Sequence, residues 1–118
     1  MITIIFKYNN EEFKVNATEG ETLLECALKN NVPLIGGCGG SGICGSCNVE
    51  IDPEYINKIP EPDVNEQDVI EYLPMYKPTT RLACQIKITN DMDGMIVNIN
   101  NWWYYFPYYS LFSFLINQ

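Results

Sequence analysis

Hydrophobic and polar residues alternate in several short stretches of the chain, the pattern that indicates β-strands. Residues 2–8 and 11–16 predict two strands joined at Asn9-Asn10, since asparagine tolerates the positive φ of a tight hairpin turn. A third strand is predicted at 47–51 and a last one at 95–99, after a turn at 91–94. One further strand is expected to present four residues on one face, namely Leu82, Cys84, Ile86 and Ile88.

Two stretches instead carry the spacing of helices. Residues 21–30 place Leu24, Ala27 and Leu28 at i, i+3 and i+4, which predicts one buried stripe. Thr18 or Gly20 is expected to cap the start of this helix. A second, short helix is predicted at about 64–73, within a proline-rich and charged region. Strands followed by a helix and then by strands with small helices predict an α+β fold around a mixed sheet.

Four cysteines, spaced C-x5-C-x2-C-x36-C, are the main candidates for chemistry: Cys38, Cys44, Cys47 and Cys84. Residues 36–47 contain six of the eight glycines of the chain. A [2Fe–2S] cluster needs thiolate ligands and backbone amides directed at the sulfur atoms, and glycine allows a loop to wrap that tightly. The pattern therefore favours a cluster that exchanges one electron.

Other sites that use cysteine or glycine fit this pattern less well. Structural zinc sites usually show two short C-x2-C knuckles, and this chain has one, so a zinc-stabilised interaction module is kept as an alternative. A redox-active C-x2-C pair should open a helix after a strand, and a phosphate-binding loop should continue with Gly-Lys-Ser/Thr. Cys26 lies in the predicted first helix, and we expect it to be a small buried residue rather than a ligand.

The charge balance restricts the partners. The chain contains fifteen acidic residues, seven basic residues and no histidine, which gives a formal charge of −8. This charge argues against nucleic acids and anionic membranes and favours a basic protein partner. Five cysteines is an odd number, which disfavours a complete disulfide framework. With no signal peptide expected, we predict a reducing compartment: the bacterial cytoplasm or, as an alternative, the matrix of a mitochondrion or related organelle.

The cysteine spacing resembles that of [2Fe–2S] ferredoxins of the adrenodoxin type, found in bacteria and mitochondria. Plant-type ferredoxins have C-x4-C-x2-C, one residue shorter in the first gap. The segments 81–86 (RLACQI) and 92–97 (MDGMIV) match the adrenodoxin type as well, and the resemblance covers about residues 2–99. It implies a β-grasp fold, with Cys38 and Cys44 on an outer iron and Cys47 and Cys84 on an inner one.

The resemblance also implies a function. Such proteins are electron carriers rather than enzymes, and they pass electrons from a basic, NAD(P)H-dependent flavoprotein reductase to an acceptor protein. We expect the acceptor to belong to iron–sulfur cluster assembly, with a cytochrome P450 as the alternative, and we expect the protein to be a monomer. In the family an acidic helix docks on these partners, and the matching residues are Asp68 and Glu71, with Glu66 close by. Arg81 is expected to be a structural partner of an acid such as Glu66.

Two regions depart from the family. Asn48 follows the third cysteine, where the family commonly has histidine, which affects the expected reduction potential rather than the cluster itself. We divide the chain into a ferredoxin domain at 1–100 and an aromatic extension of unknown role at 101–118, which holds nine of the fifteen aromatic residues and no charge. Because Pro107 interrupts a run shorter than about 20 apolar residues, no membrane span is expected there, and contact with a membrane surface is a lesser alternative.

Overall fold

A mixed five-stranded sheet organises the part of the chain that this computed structural model describes, residues 1–34, 47–73 and 76–99. The strands lie in the order β2-β1-β5-β3-β4; β1 and β5 run parallel, and the other neighbours run antiparallel. Their bounds are β1 Ile2–Tyr8, β2 Glu11–Ala17, β3 Asn48–Ile51, β4 Thr80–Leu82 and β5 Met95–Ile99. The helices are α1 Leu23–Lys29 and α2 Val64–Tyr72. The predicted mixed sheet is thus confirmed.

The first two strands form the predicted hairpin. β1 and β2 pair from Ile2 opposite Ala17 to Tyr8 opposite Glu11. Asn9 has a φ of 56°, the left-handed conformation for which asparagine was expected at the turn. Alternate residues of β1 are buried, with Ile4 and Phe6 fully enclosed. The period-2 pattern of the sequence therefore reflects one face of the sheet packed on the core.

The first helix starts later than predicted, at Leu23, and Thr22 caps it instead of Thr18 or Gly20. The Thr22 hydroxyl accepts a hydrogen bond from the Glu25 amide, and the Glu25 carboxylate accepts one from the Thr22 amide, both at 3.0 Å. This reciprocal pair is a capping box, which satisfies two amides that the helix itself leaves unpaired. Gly20 instead has a φ of 95° and turns the chain before the helix.

The buried face of α1 also differs from the prediction. Leu24 and Ala27 are buried as expected, but Leu28 is 51% exposed. With the helix starting at Leu23, the stripe centres on Leu23 and Ala27, one turn apart, and Leu28 falls outside it. The prediction that Leu28 belongs to the core was wrong for this reason.

The segment that was expected to be one long strand is divided. β4 ends at Leu82, and Ala83–Gln85 form a single 3₁₀ turn that contains Cys84. Beyond it, the backbone pairs with the start of α1: Leu23 N donates to Ile86 O at 3.0 Å, and Ile88 N donates to Glu21 O at 2.8 Å. Ile86 and Ile88 are buried as predicted, but their hydrogen bonds do not extend the sheet.

No helix within the described ranges has the length and apolar character needed to cross a membrane.

Candidate metal centre

Strands β3 and β4 bring two of the four predicted ligands to one end of the sheet. Asn48 at the start of β3 pairs with Leu82 at the end of β4. Cys47 therefore precedes the paired region, and Cys84 follows it. The amide of Ala83 donates to the carbonyl oxygen of Cys47 at 3.0 Å, which joins the backbones directly beside both cysteines. Two residues with 36 others between them in the sequence thus become close neighbours.

Both cysteines are buried thiols. Cys47 is 1% exposed and Cys84 is 6% exposed, and neither forms a disulfide. The Gln85 side-chain amide donates to Cys84 Sγ at 3.4 Å, the kind of contact that orients a metal-binding sulfur. These two buried thiols, outside any disulfide and on adjoining backbone segments, are half of the four-thiolate donor set of the predicted iron–sulfur cluster, so this part of the site fits that cofactor.

The other two predicted ligands, Cys38 and Cys44, lie outside the described residues, as does the glycine-rich loop that contains them. Among the residues that are described, no group of three or more potential metal ligands occurs. This follows from the division of the predicted set, since only Cys47 and Cys84 belong to the described ranges.

Cys26 is a buried residue of α1, as predicted. Its sulfur and its carbonyl oxygen both accept hydrogen bonds from the Asn30 side chain, at 3.9 and 2.8 Å. Burial, together with the negative charge of Glu21, raises the pKa of the Cys26 thiol from 9.0 to about 11. A thiol that stays protonated is a poor metal ligand and a poor nucleophile.

Glu66 is not where a docking residue must be. It is 3% exposed, and its carboxylate accepts hydrogen bonds from Arg81 Nε at 2.7 Å, Arg81 Nη2 at 2.9 Å and the Leu82 amide at 3.0 Å. The prediction that Glu66 contacts a partner is therefore corrected, because its carboxylate is buried and paired with Arg81. The same contacts agree with the prediction that Arg81 is a structural partner of Glu66.

Asp68 and Glu71 are exposed on α2. Within the described residues, no Lys or Arg side chain forms an ion pair with either of them. They are thus accessible to a basic partner, and they stay the predicted docking residues.

One feature of the site region was not singled out from the sequence. Tyr72 and Val64, on α2 with these acids, are 90% and 75% exposed. A spacing of eight residues places both on one side of a helix, a signal present in the sequence. Asn48, already identified at the position after Cys47, is only 4% exposed and so belongs to the interior next to the predicted ligands.

Residues 6–89 match the model of the 2Fe-2S iron-sulfur cluster binding domain. The chain is 38% identical over 107 residues to the mitochondrial adrenodoxin homolog of Saccharomyces cerevisiae, covering 85% of this chain and 62% of that protein. It is 36% identical over 99 residues to the 2Fe-2S ferredoxin of Rickettsia bellii, covering 83% of this chain and 89% of that protein. The chain therefore spans less than two thirds of the yeast relative and most of the bacterial one.

Among solved structures, the chain is similar to a protein chain in the crystal structure of the covalent putidaredoxin reductase–putidaredoxin complex. The TM-score is 0.78 and the sequence identity is 27%, and the match covers 82% of this chain and 96% of that chain. This likeness confirms the predicted β-grasp fold. The family match also favours the iron–sulfur cluster over the zinc alternative. Ferredoxins are electron carriers, in agreement with the prediction that the chain is not an enzyme. These findings identify the chain as a member of the adrenodoxin-type [2Fe–2S] ferredoxins.

Proposed function

We propose that this protein carries single electrons from an NAD(P)H-dependent flavoprotein reductase to an acceptor protein, and that Cys38, Cys44, Cys47 and Cys84 hold its [2Fe–2S] cluster. The observation that carries the proposal is the convergence of Cys47 and Cys84, two buried cysteines outside any disulfide whose backbone segments meet at the hydrogen bond from Ala83 N to Cys47 O. Family membership supports the same ligand set. When bound, the cluster supplies one-electron chemistry and little else.

The chain contributes position and shielding to this chemistry. Backbone pairing between β3 and β4 fixes the spacing of Cys47 and Cys84, so the ligands need not rearrange when the charge of the site changes. The Gln85 amide stabilises negative charge on Cys84 Sγ. The low exposure of both sulfurs keeps water from them.

A reductase is supported as the partner by the complex in which a protein similar to this chain is bound to putidaredoxin reductase. The charge of −8 and the exposed carboxylates of Asp68 and Glu71 favour a basic docking surface on that reductase. For the acceptor we propose the machinery of iron–sulfur cluster assembly, the common role of such ferredoxins in bacteria and mitochondria. The proposed location is correspondingly the bacterial cytoplasm or a mitochondrial matrix, with the protein acting as a monomer.

Anaerobic purification followed by iron and acid-labile sulfide analysis tests the cofactor. We expect two irons and two sulfides per chain, and a rhombic electron paramagnetic resonance signal after reduction with dithionite. A colourless protein containing zinc would contradict the proposal. Reduction by NADPH or NADH through a flavoprotein ferredoxin reductase, followed at the visible absorption band, tests the carrier role.

The acceptor is tested by comparing two reconstituted systems. One contains a cysteine desulfurase and a scaffold protein, and the other contains a cytochrome P450 with its substrate. We expect the reduced ferredoxin to support cluster formation on the scaffold. Electron delivery to the P450 alone would assign the alternative role and leave the carrier function intact.

A further inference from the structure

The outward side of α2 combines acidic and apolar side chains. Val64, Asp68, Glu71 and Tyr72 are separated by four, seven and eight positions, so they share one side of a helix with 3.6 residues per turn. The opposite side packs on the protein through Glu66 and Ile70, both buried. The outward side is thus a surface that the fold of the described residues does not cover.

Tyr72 is unusual on this surface. It is 90% exposed, although a tyrosine ring in water leaves a large apolar area unburied. Another exposed tyrosine, Tyr76, is 47% exposed. Within the described residues, Tyr72 has no hydrogen bond or ring contact, whereas the ring of Tyr55 has Lys58 Nζ 4.9 Å from its centroid. Tyr72 therefore presents a free aromatic face to a partner.

Three of the side chains on the outward side of α2 line one surface depression. A shallow depression of about 320 Å³ is lined by Asp68, Glu71 and Tyr72. Two carboxylates and an aromatic ring around one depression match the chemistry of a guanidinium group, which donates hydrogen bonds to carboxylates from its edge and stacks its plane on a ring. A lysine ammonium would use the charges but not the flat face of the ring to the same extent.

We propose that Asp68, Glu71 and Tyr72 receive an arginine side chain of the basic partner, with Tyr72 stacking on the guanidinium. The inference rests on the proposed function, since it names the group through which a reductase or acceptor is recognised. The charges of Asp68 and Glu71 accelerate the encounter, and the ring of Tyr72 distinguishes arginine from lysine. The surface is thereby selective for the kind of cation as well as for its sign.

The test uses two fluorescent peptides of ten residues, one alternating Arg and Gly and the other alternating Lys and Gly. Each is titrated with the cluster-containing protein at low ionic strength, and the dissociation constant is measured by anisotropy. Because an exposed cation–π contact contributes modestly, we expect the Arg peptide to bind about two- to five-fold more tightly than the Lys peptide. Tyr72→Ala should abolish this preference and Tyr72→Phe should keep it.

Tyr76→Ala is the matched control, since it removes an exposed tyrosine that does not line the depression. It should leave the preference unchanged. Equal binding of the two peptides to the unmodified protein, or a preference that survives Tyr72→Ala, would overturn the inference. Reductase-driven reduction is measured on the same samples: normal reduction without any Arg preference refutes only the arginine site, whereas absent reduction with every reductase tried refutes the carrier function.

Discussion

Arg81 and Glu66 form an ion pair whose side chains are only 6% and 3% exposed. Arg81 also donates from Nη1 to the carbonyl oxygen of Pro60 at 2.7 Å. The pair thereby joins α2, the segment before α2 and strand β4 at a point three residues from Cys84. The helix that carries the predicted docking residues and the strand that leads to the proposed ligand Cys84 are thus held together by one buried contact.

Glu66→Gln should destabilise the protein strongly, because it leaves the Arg81 charge buried without a counter-charge. Removing one member of such a pair costs about 3–5 kcal/mol. For a chain of this size we expect the midpoint of thermal unfolding to fall by more than about 10 °C. The midpoint is followed by circular dichroism at one fixed scan rate, because the apparent midpoint depends on scan rate whenever unfolding is irreversible.

Lys29→Gln provides the comparison for this prediction. Lys29 and Glu21 are 50% and 15% exposed, and their ion pair is 3.0 Å long. Exposed pairs contribute no more than about 1 kcal/mol, so the midpoint should move little. A Glu66→Gln protein as stable as the Lys29→Gln protein would show that burial does not strengthen the Arg81 contact.

Replacing Cys47 or Cys84 by serine should remove most of the bound iron and the visible absorption band. Serine offers a hydroxyl oxygen in place of the thiolate sulfur that iron–sulfur clusters are built on. Cys26→Ala should keep the full iron content, because Cys26 lies in the helix core rather than beside Cys47 and Cys84. Iron analysis of the three purified variants checks the prediction, and iron lost equally from all three would contradict it.

Reversing two docking charges, in Asp68→Lys with Glu71→Lys, should slow reduction by the reductase and flatten its dependence on salt. Fewer complementary charges give weaker steering, and steering is the part of association that salt screens. The matched control is Glu11→Lys with Glu12→Lys, which makes the same change of net charge on exposed residues of β2. Reduction rates at several salt concentrations decide the matter, and equal slopes in both variants would contradict docking through α2.

Thr22→Ala should cost about 1 kcal/mol of stability, within a range of about 0.5–2, because it removes the hydroxyl that accepts from the Glu25 amide. Thr18→Ala should have a much smaller effect, since it is the Thr18 backbone amide that donates to Glu21 Oε1 and alanine retains that amide. Thermal unfolding of both variants at the same scan rate distinguishes the two caps. A larger loss for Thr18→Ala would restore the cap first expected from the sequence.

The Cys26 thiol should destabilise the fold at high pH. Its pKa is about 11 in the folded protein, against an ordinary value of 9.0, so the unfolded chain ionises first as the pH rises. The stability that this thiol contributes is complete below pH 9 and is lost as the pH rises toward 11. Unfolding midpoints across this range should fall less for Cys26→Ala than for the unmodified protein. Parallel curves would show that Cys26 titrates normally.

Sequence patterns predicted the strands well wherever alternation reflects one buried face. Residues 95–99 were expected to be a strand, and Met95, Val97 and Ile99 are the buried residues of β5. The expectation failed at Cys84, although Leu82, Cys84, Ile86 and Ile88 alternate equally well. Alternation shows that a segment is extended and half buried, but it does not show which backbone accepts its hydrogen bonds. Here the partner is the segment that leads into α1, where Leu23 N donates to Ile86 O and Glu21 O accepts from Ile88 N, and that pairing depends on tertiary packing.

At the candidate site, too, the sequence predicted some features correctly and others wrongly. Spacing and residue type singled out Cys47 and Cys84, whose backbones the structure brings together, and predicted that Arg81 is a structural partner of Glu66, which the ion pair confirms. The exposure of the acidic side chains could not be predicted from the sequence in the same way. Glu66 was expected at the surface together with Asp68 and Glu71, but it is buried. A carboxylate next to other carboxylates is ordinarily solvated, and only the arrival of Arg81 on β4 makes a buried one stable. Cys38 and Cys44, with the aromatic extension at 101–118, lie outside the described residues and stay predictions.

Asn48, enclosed beside Cys47, has a consequence for how electrons move. An amide keeps the same charge at every physiological pH, and the chain contains no imidazole at all. Uptake of an electron then has no histidine to draw a proton with it. The midpoint potential should stay nearly constant from pH 6 to 8, so the driving force offered to an acceptor would be insensitive to acidification of the compartment.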